Sequence, residues 1–110
     1  MQGRRNAVTF PPAWQSPITA QPGQVQVGVD ACSLLPSRTD LERARLDAQA
    51  ALRQTGTPRS TPILVTVEGV IWDGHHAVRL AAENGETVDV RVAALLEPPS
   101  GLTILQLPVR

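Results

Sequence analysis

Lysine is missing from this chain: all ten basic side chains are arginine. A Schiff-base lysine, a phosphate-loop lysine and a lysine nucleophile are thereby excluded, and several enzyme classes with them. An excess of charge of either sign is missing too, since ten acidic residues balance the arginines and the formal net charge is zero, with a pI near 6.7. So balanced a chain exerts no global pull on a polyanion, which confines any nucleic-acid contact to a local site and disfavours a duplex-coating role. No hydrophobic run approaches the roughly 18 residues of a membrane span, so no membrane partner is expected. The single cysteine, Cys32, can close neither an internal disulfide nor a multi-cysteine metal site, and burial statistics place such a thiol in the core. The first eight residues carry Arg4 and Arg5 but no apolar stretch of signal-peptide length, so nothing there directs Sec export. The expected site of action is the cytoplasm, and a toxin domain delivered from another cell as part of a larger secreted protein would look the same. What is present, 110 residues of which 42% are hydrophobic, amounts to one small globular domain.

Four of the ten prolines (Pro11, Pro12, Pro17, Pro22) fall in the first 22 residues beside Phe10 and Trp14. Proline at that density forbids a helix, so residues 1–24 read as an extended arm that the two aromatics pin across the domain or a partner. The domain proper spans residues 25–110. Val25, Val27 and Val29 alternate with polar or small residues, the period of a half-buried strand. Thr39-Asp40-Leu41-Glu42 has capping-box spacing before a run of strong helix formers that ends at Gly56, which predicts a helix over residues 40–55. Its expected apolar face is Leu41, Ala44, Ala48, Ala51 and Leu52, with Glu42, Arg43, Arg45 and Arg53 solvated. Pro58 and Pro62 frame a loop. Ile63 to Val67, a Glu68-Gly69 turn and Val70 to Trp72 read as a hairpin, followed by a short helix from His75 to the Asn84-Gly85 stop. Thr87 to Val92 alternates again, and Leu102 to Leu107 suggests a fifth strand. The order β-α-β-β-α-β implies an α+β fold.

Chemistry concentrates at Asp73-Gly74-His75-His76, on a strand-to-helix junction. Free backbone N–H groups and the positive dipole end of a helix start favour a phosphate, and a glycine lets it come close to the main chain. Adjacent histidines point about 100° apart on a helix, so one is expected to face the cleft and the other to pack. An imidazole there can act as general base, general acid or metal ligand, and Asp73 can orient it, hold a divalent cation or simply cap the helix.

The run from Pro62-Ile63-Leu64-Val65 through Trp72-Asp73-Gly74-His75-His76-Ala77-Val78-Arg79 to Asn84-Gly85 resembles the core of the ParB/sulfiredoxin-like superfamily, in which a Pro-Ile strand and a short hairpin precede a Gly-centred loop opening a helix. Leu35-Pro36-Ser37-Arg38 is similar to that family's Pro-Arg approach to its first helix, so the resemblance covers about residues 25–94. It implies a small mixed sheet with helices packed on it, and activities among nucleotide binding and hydrolysis, sulfinic-acid repair, free-serine kinase activity and nuclease activity. Gly74 takes the place of the loop glycine, His75 and His76 that of the His-His form of the loop, and Arg79 that of an arginine five positions on. Ala77 departs from the pattern, standing where the family usually has a phosphate-contacting arginine. Cys32 lies before the first helix and not in the loop, which disfavours sulfiredoxin chemistry. The helix-turn-helix of partition proteins is missing as well, which removes centromere binding.

Three readings follow. The first is a small metal-assisted nuclease, a DNase of bacterial toxin or effector kind. In it His75 or His76 activates water, the helix start with Gly74 and Arg38 or Arg79 holds the scissile phosphate, and Asp73 with Glu68 binds Mg²⁺ or Mn²⁺; its partners are DNA and an immunity-type protein or a second copy. The second is a nucleotide-dependent hydrolase or small-molecule kinase using the same loop, with Glu42 as candidate base. The third is a non-catalytic interaction module working through the arm and the apolar tail.

Overall fold

The computed structural model describes residues 10–57 and 61–110, so Arg4, Arg5 and Pro58 lie outside the described residues. Strands β1 (Val25–Asp30), β2 (Leu35–Pro36), β3 (Ile63–Val65), β4 (Val70–Asp73) and β5 (Thr87–Val92) and helices α1 (Arg43–Thr55) and α2 (His75–Glu83) build a small α+β domain. The strands form one mixed sheet in the order β1-β5-β3-β4-β2. β3 and β4 are the expected antiparallel hairpin, while β2 runs parallel to β4 and β3 parallel to β5. These directions place the site. The chain leaving β2, the chain leaving β4 and the chain entering β3 all meet at one end of the sheet, where α2 begins.

β2 is too short to carry a periodic signal. Pro36 is tolerated in it because the strand lies at the sheet edge, where a missing N–H breaks no ladder. At the other edge, β1 keeps only Val29 buried, and Val25 and Val27 are 52% and 71% exposed. A register shift between Gln26 and Val29, with Gly28 at φ +71°, interrupts the alternation that the valines imply.

The arm is part of the fold. Phe10 stacks on Trp14 at 6.4 Å, the Trp14 indole donates to the Glu68 carbonyl (3.0 Å) and Ser16 Oγ to the Val67 carbonyl (2.7 Å). Farther along, the Gln26 amide accepts from the N–H groups of Thr19 and Ala20 and donates to the Pro17 carbonyl. Residues 10–22 thus cross from the hairpin turn to β1, and Ile18 and Ala20 pack against the main apolar cluster. The aromatics pin the arm across this domain.

Four expectations are corrected. The first helix begins at Arg43, not at residue 40, because Leu41 is drawn into a parallel bridge with Val109 and the Thr39/Glu42 capping box does not form. The N–H of Leu41 donates to the Pro108 carbonyl (2.8 Å) and that of Arg43 to the Arg110 carbonyl (2.7 Å), so distant backbone satisfies groups a cap would have served. The face changes with the start: Leu46 is the buried residue of α1, with Gln49, Ala50 and Leu52 half-buried, while Ala44, Ala48 and Ala51 are exposed. The tail forms no strand; Ile104–Gln106 is a single 3-10 turn with a reciprocal Thr103/Gln106 cap, and it buries Ile104 and Leu107. Cys32 is exposed, in the short turn Ala31–Ser33 that ends β1, where its neighbour Ala31 takes the buried place. Among the described residues no helix is long and apolar enough to cross a membrane.

Candidate functional site

Gly74 joins β4 to α2 without an intervening loop, at φ +102°, and is the N-cap residue in place of Asp73, which is the last residue of β4. Only a glycine fits. A Cβ there would lie 3.0 Å from Ile63 Cγ1 and 3.3 Å from Ile63 Cα, and the backbone angle is one that L-residues rarely adopt. Gly74→Ala is expected to destabilise the domain by about 2 kcal/mol from backbone strain alone, before any shift of Ile63. Urea unfolding checks this, and a variant as stable as the parent would show that the junction needs no glycine.

Gly74 offers no side chain to cap α2. The helix start opens into a cleft of about 200 Å³ lined by Arg45, Ala48, Gln49, Thr61, Asp73, Gly74 and His76. Gln49 and Thr61 also border a larger trough of about 440 Å³ with apolar walls that include Leu52, Ile63, Ala77 and Val88. Ala77 lines this trough, so a longer side chain at the position would reach into space that this chain leaves open.

The two histidines are buried, at 4% and 7% exposure. His75 Nε2 accepts the backbone N–H of Ser37 (3.1 Å), with Ser37 Oγ at 3.3 Å, and that hydroxyl donates to the Ile71 carbonyl (2.7 Å). His76 Nε2 accepts the backbone N–H of Glu42 (3.0 Å). Both rings therefore hold the segment between β2 and α1 onto the start of α2, and both carry their proton on Nδ1. Burial, then the Arg38 guanidinium, pushes the His75 imidazole down to about 4; burial, then Arg38 and Arg45, also lowers His76. A general base needs a free lone pair, and in this arrangement each Nε2 lone pair faces a backbone N–H. His76 borders the cleft and His75 packs beside it.

The other predicted residues are dispersed. Arg38 donates through Nε to the Asp40 carbonyl (3.0 Å) and sits 3.5 Å from the carboxylates of Asp40 and Glu42. Arg79 is committed to the tail: Nη1 donates to the carbonyls of Ile104 (3.2 Å) and Leu107 (2.7 Å), and Nε to Glu83 (2.6 Å). Glu42 shares its carboxylate between Arg38 and Arg45. Glu68 lies in the turn between β3 and β4, beside Trp14, whereas Asp73 ends β4 at the opposite end of the hairpin. The strand between them keeps the two carboxylates apart, so they do not fit a shared metal centre. Among the described residues no group of three or more His, Cys, Asp or Glu side chains could hold a metal ion. Arg45, Gln49 and Thr61 were not legible as site residues, because they reach the cleft only through the packing of α1 and the entry to β3. Comparison with protein-family models, with curated proteins and with solved structures finds no match.

Proposed function

We propose that the cleft at the start of α2 binds a phosphoryl group of a nucleotide-class ligand and that the domain acts on that group as a nucleotide-dependent enzyme of ParB/sulfiredoxin-like kind. The observation that carries this reading is the uncapped start of α2 on Gly74, facing a cleft that also holds the Arg45 side of α1. Backbone N–H groups, the positive end of the helix and a guanidinium are an anion-binding set. The trough beside the cleft offers apolar walls for the rest of the ligand. The mixed sheet, the hairpin and the Gly-centred junction also support the ParB/sulfiredoxin-like assignment. Zero net charge favours a small phosphate ester over a polymer, which needs a basic track.

The nuclease reading keeps the same phosphate seat. What favours it is Trp72, 47% exposed on β4, a surface on which a nucleobase can stack. Both readings are tested with the same protein. Purified wild type and Arg45→Ala are titrated with nucleoside mono-, di- and triphosphates while the backbone amides of residues 75–78 are followed by NMR, and both are incubated with supercoiled plasmid, with and without Mg²⁺. Nucleotide-dependent shifts at those amides, weakened about tenfold in Arg45→Ala, are the expected result. Plasmid nicking lost in the variant would favour the nuclease. Neither binding nor nicking would sink the phosphate reading and leave the interaction module.

A further inference from the structure

The donors of the cleft are accompanied by one group of opposite character. His76 is 7% exposed and borders the cleft, and its Nε2 is occupied by the Glu42 N–H. The remaining ring nitrogen, Nδ1, must then carry hydrogen, and among the described residues it has no partner. A buried donor without an acceptor costs about 1–3 kcal/mol. A ligand oxygen would recover that cost, and the Glu42 bond prevents the ring from turning the same position into an acceptor. The cleft therefore presents fixed donors, the first N–H groups of α2 and His76 Nδ1, with Arg45, paired with Glu42, at its edge.

Asp73 lines the same cleft, and a carboxylate is an acceptor only. Against a fully deprotonated anion it is repulsive. Against an anion that still carries a proton, the repulsion becomes a charge-assisted hydrogen bond. Building on the phosphate reading above, we infer that Asp73 is a specificity determinant, selecting a phosphoryl group with a P–OH, as in hydrogen phosphate or a monoprotonated phosphomonoester, over sulfate and phosphodiesters, while His76 Nδ1–H and the start of α2 bind its bare oxygens. Sulfate matches phosphate in size and shape but has no proton near neutral pH, and a phosphodiester has none to offer either. Discrimination rests on a proton the site requires, because the wrong ligand sets a bare oxygen against the Asp73 carboxylate.

The test uses inorganic phosphate, methyl phosphate, sulfate and dimethyl phosphate at about pH 6, where phosphate and about half of a phosphomonoester carry a P–OH, with the amides of residues 75–78 as reporters. Wild type is expected to bind the first two at least tenfold more tightly than the last two. Asp73→Asn, on an exposed residue and so safe for folding, should bring phosphate and sulfate to within about twofold of one another. His76→Gln keeps an acceptor for the Glu42 N–H but lacks the Nδ1 donor; it should weaken every anion by a similar factor and leave the preference intact. Equal binding of phosphate and sulfate by wild type, or an unchanged preference in Asp73→Asn, overturns the assignment of Asp73 while phosphate binding itself stands. A changed preference in His76→Gln overturns the division of roles between His76 and Asp73. No response of these amides to any of the four anions overturns the phosphate reading and, with it, the inference.

Discussion

Replacing His75 by alanine should destabilise the domain by about 3 kcal/mol. The change strands the Ser37 N–H, which now donates to His75 Nε2, and opens space in a buried place. An unsatisfied buried donor costs about 1–3 kcal/mol and the loss of buried side-chain volume adds to it. Ser37 also anchors the end of β2 through its hydroxyl on the Ile71 carbonyl, so the loss propagates to the parallel pairing of β2 with β4. In a domain of 110 residues such a loss lowers Tm by roughly 10 °C or more. His75→Gln, whose amide oxygen can take the place of Nε2, should recover about half of it. Thermal and urea unfolding measure both. An alanine variant within about 0.5 kcal/mol of wild type would remove the structural role of this ring. The result also governs how activity data are read: lost activity in a histidine-to-alanine variant reports catalysis only when the variant is shown to fold.

Acid should weaken the domain through its buried imidazoles. In the folded protein His75 titrates at about 4, against 6.5 when free, and burial is the main cause. Between those values the unfolded chain binds a proton that the folded one excludes, so stability declines as the pH is lowered. The contribution is complete above pH 6.5 and is lost progressively as pH falls toward 4. The gap corresponds to about 3 kcal/mol at full extent. His76, lowered in the same direction by burial and by Arg38 and Arg45, steepens the slope. Urea midpoints measured from pH 7.5 to 4.5 should decline over this window in wild type and flatten in His75→Gln, which keeps the acceptor and cannot be protonated. A wild-type profile flat down to pH 4.5 would show that neither imidazole is held neutral by the fold.

The two outcomes share one cause, the parallel pairing of β2 with β4. Because both strands leave the sheet at the same end, Ser37 emerges beside the start of α2, and the residues after Gly74 meet the chain that leads into α1. The same convergence makes the cleft. α1 crosses this end with Arg45 and Gln49, and the entry to β3 brings Thr61. A site assembled in this way depends on three chain segments far apart in sequence. Its polar groups serve double duty: His76 closes the segment before α1 with one nitrogen and leaves the other for the cleft.

Local patterns were legible in the sequence wherever the chain itself carries the physics. The hairpin of β3 and β4 follows from two apolar runs around Glu68-Gly69, α2 from amphipathic spacing between two glycines, and β5 from strict alternation, because side-chain period and turn conformation are properties of neighbours in sequence. The Asp-Gly-His-His junction was legible as a special place for the same reason, as a glycine with positive φ can be read from a strand meeting a helix. Tertiary structure alone decided the rest. A capping box at Thr39 lost to backbone pairing with Pro108 and Arg110, which lie about 70 residues away, and with it went the start and the buried face of α1. Arg79, a phosphate contact by position, is spent on the carbonyls of a tail that turns instead of extending. The histidines, bases by residue type, became acceptors because two backbone N–H groups arrive at their Nε2 atoms from the segment between β2 and α1. Hydrogen-bond partners are set by which segments meet, and periodicity carries no record of that.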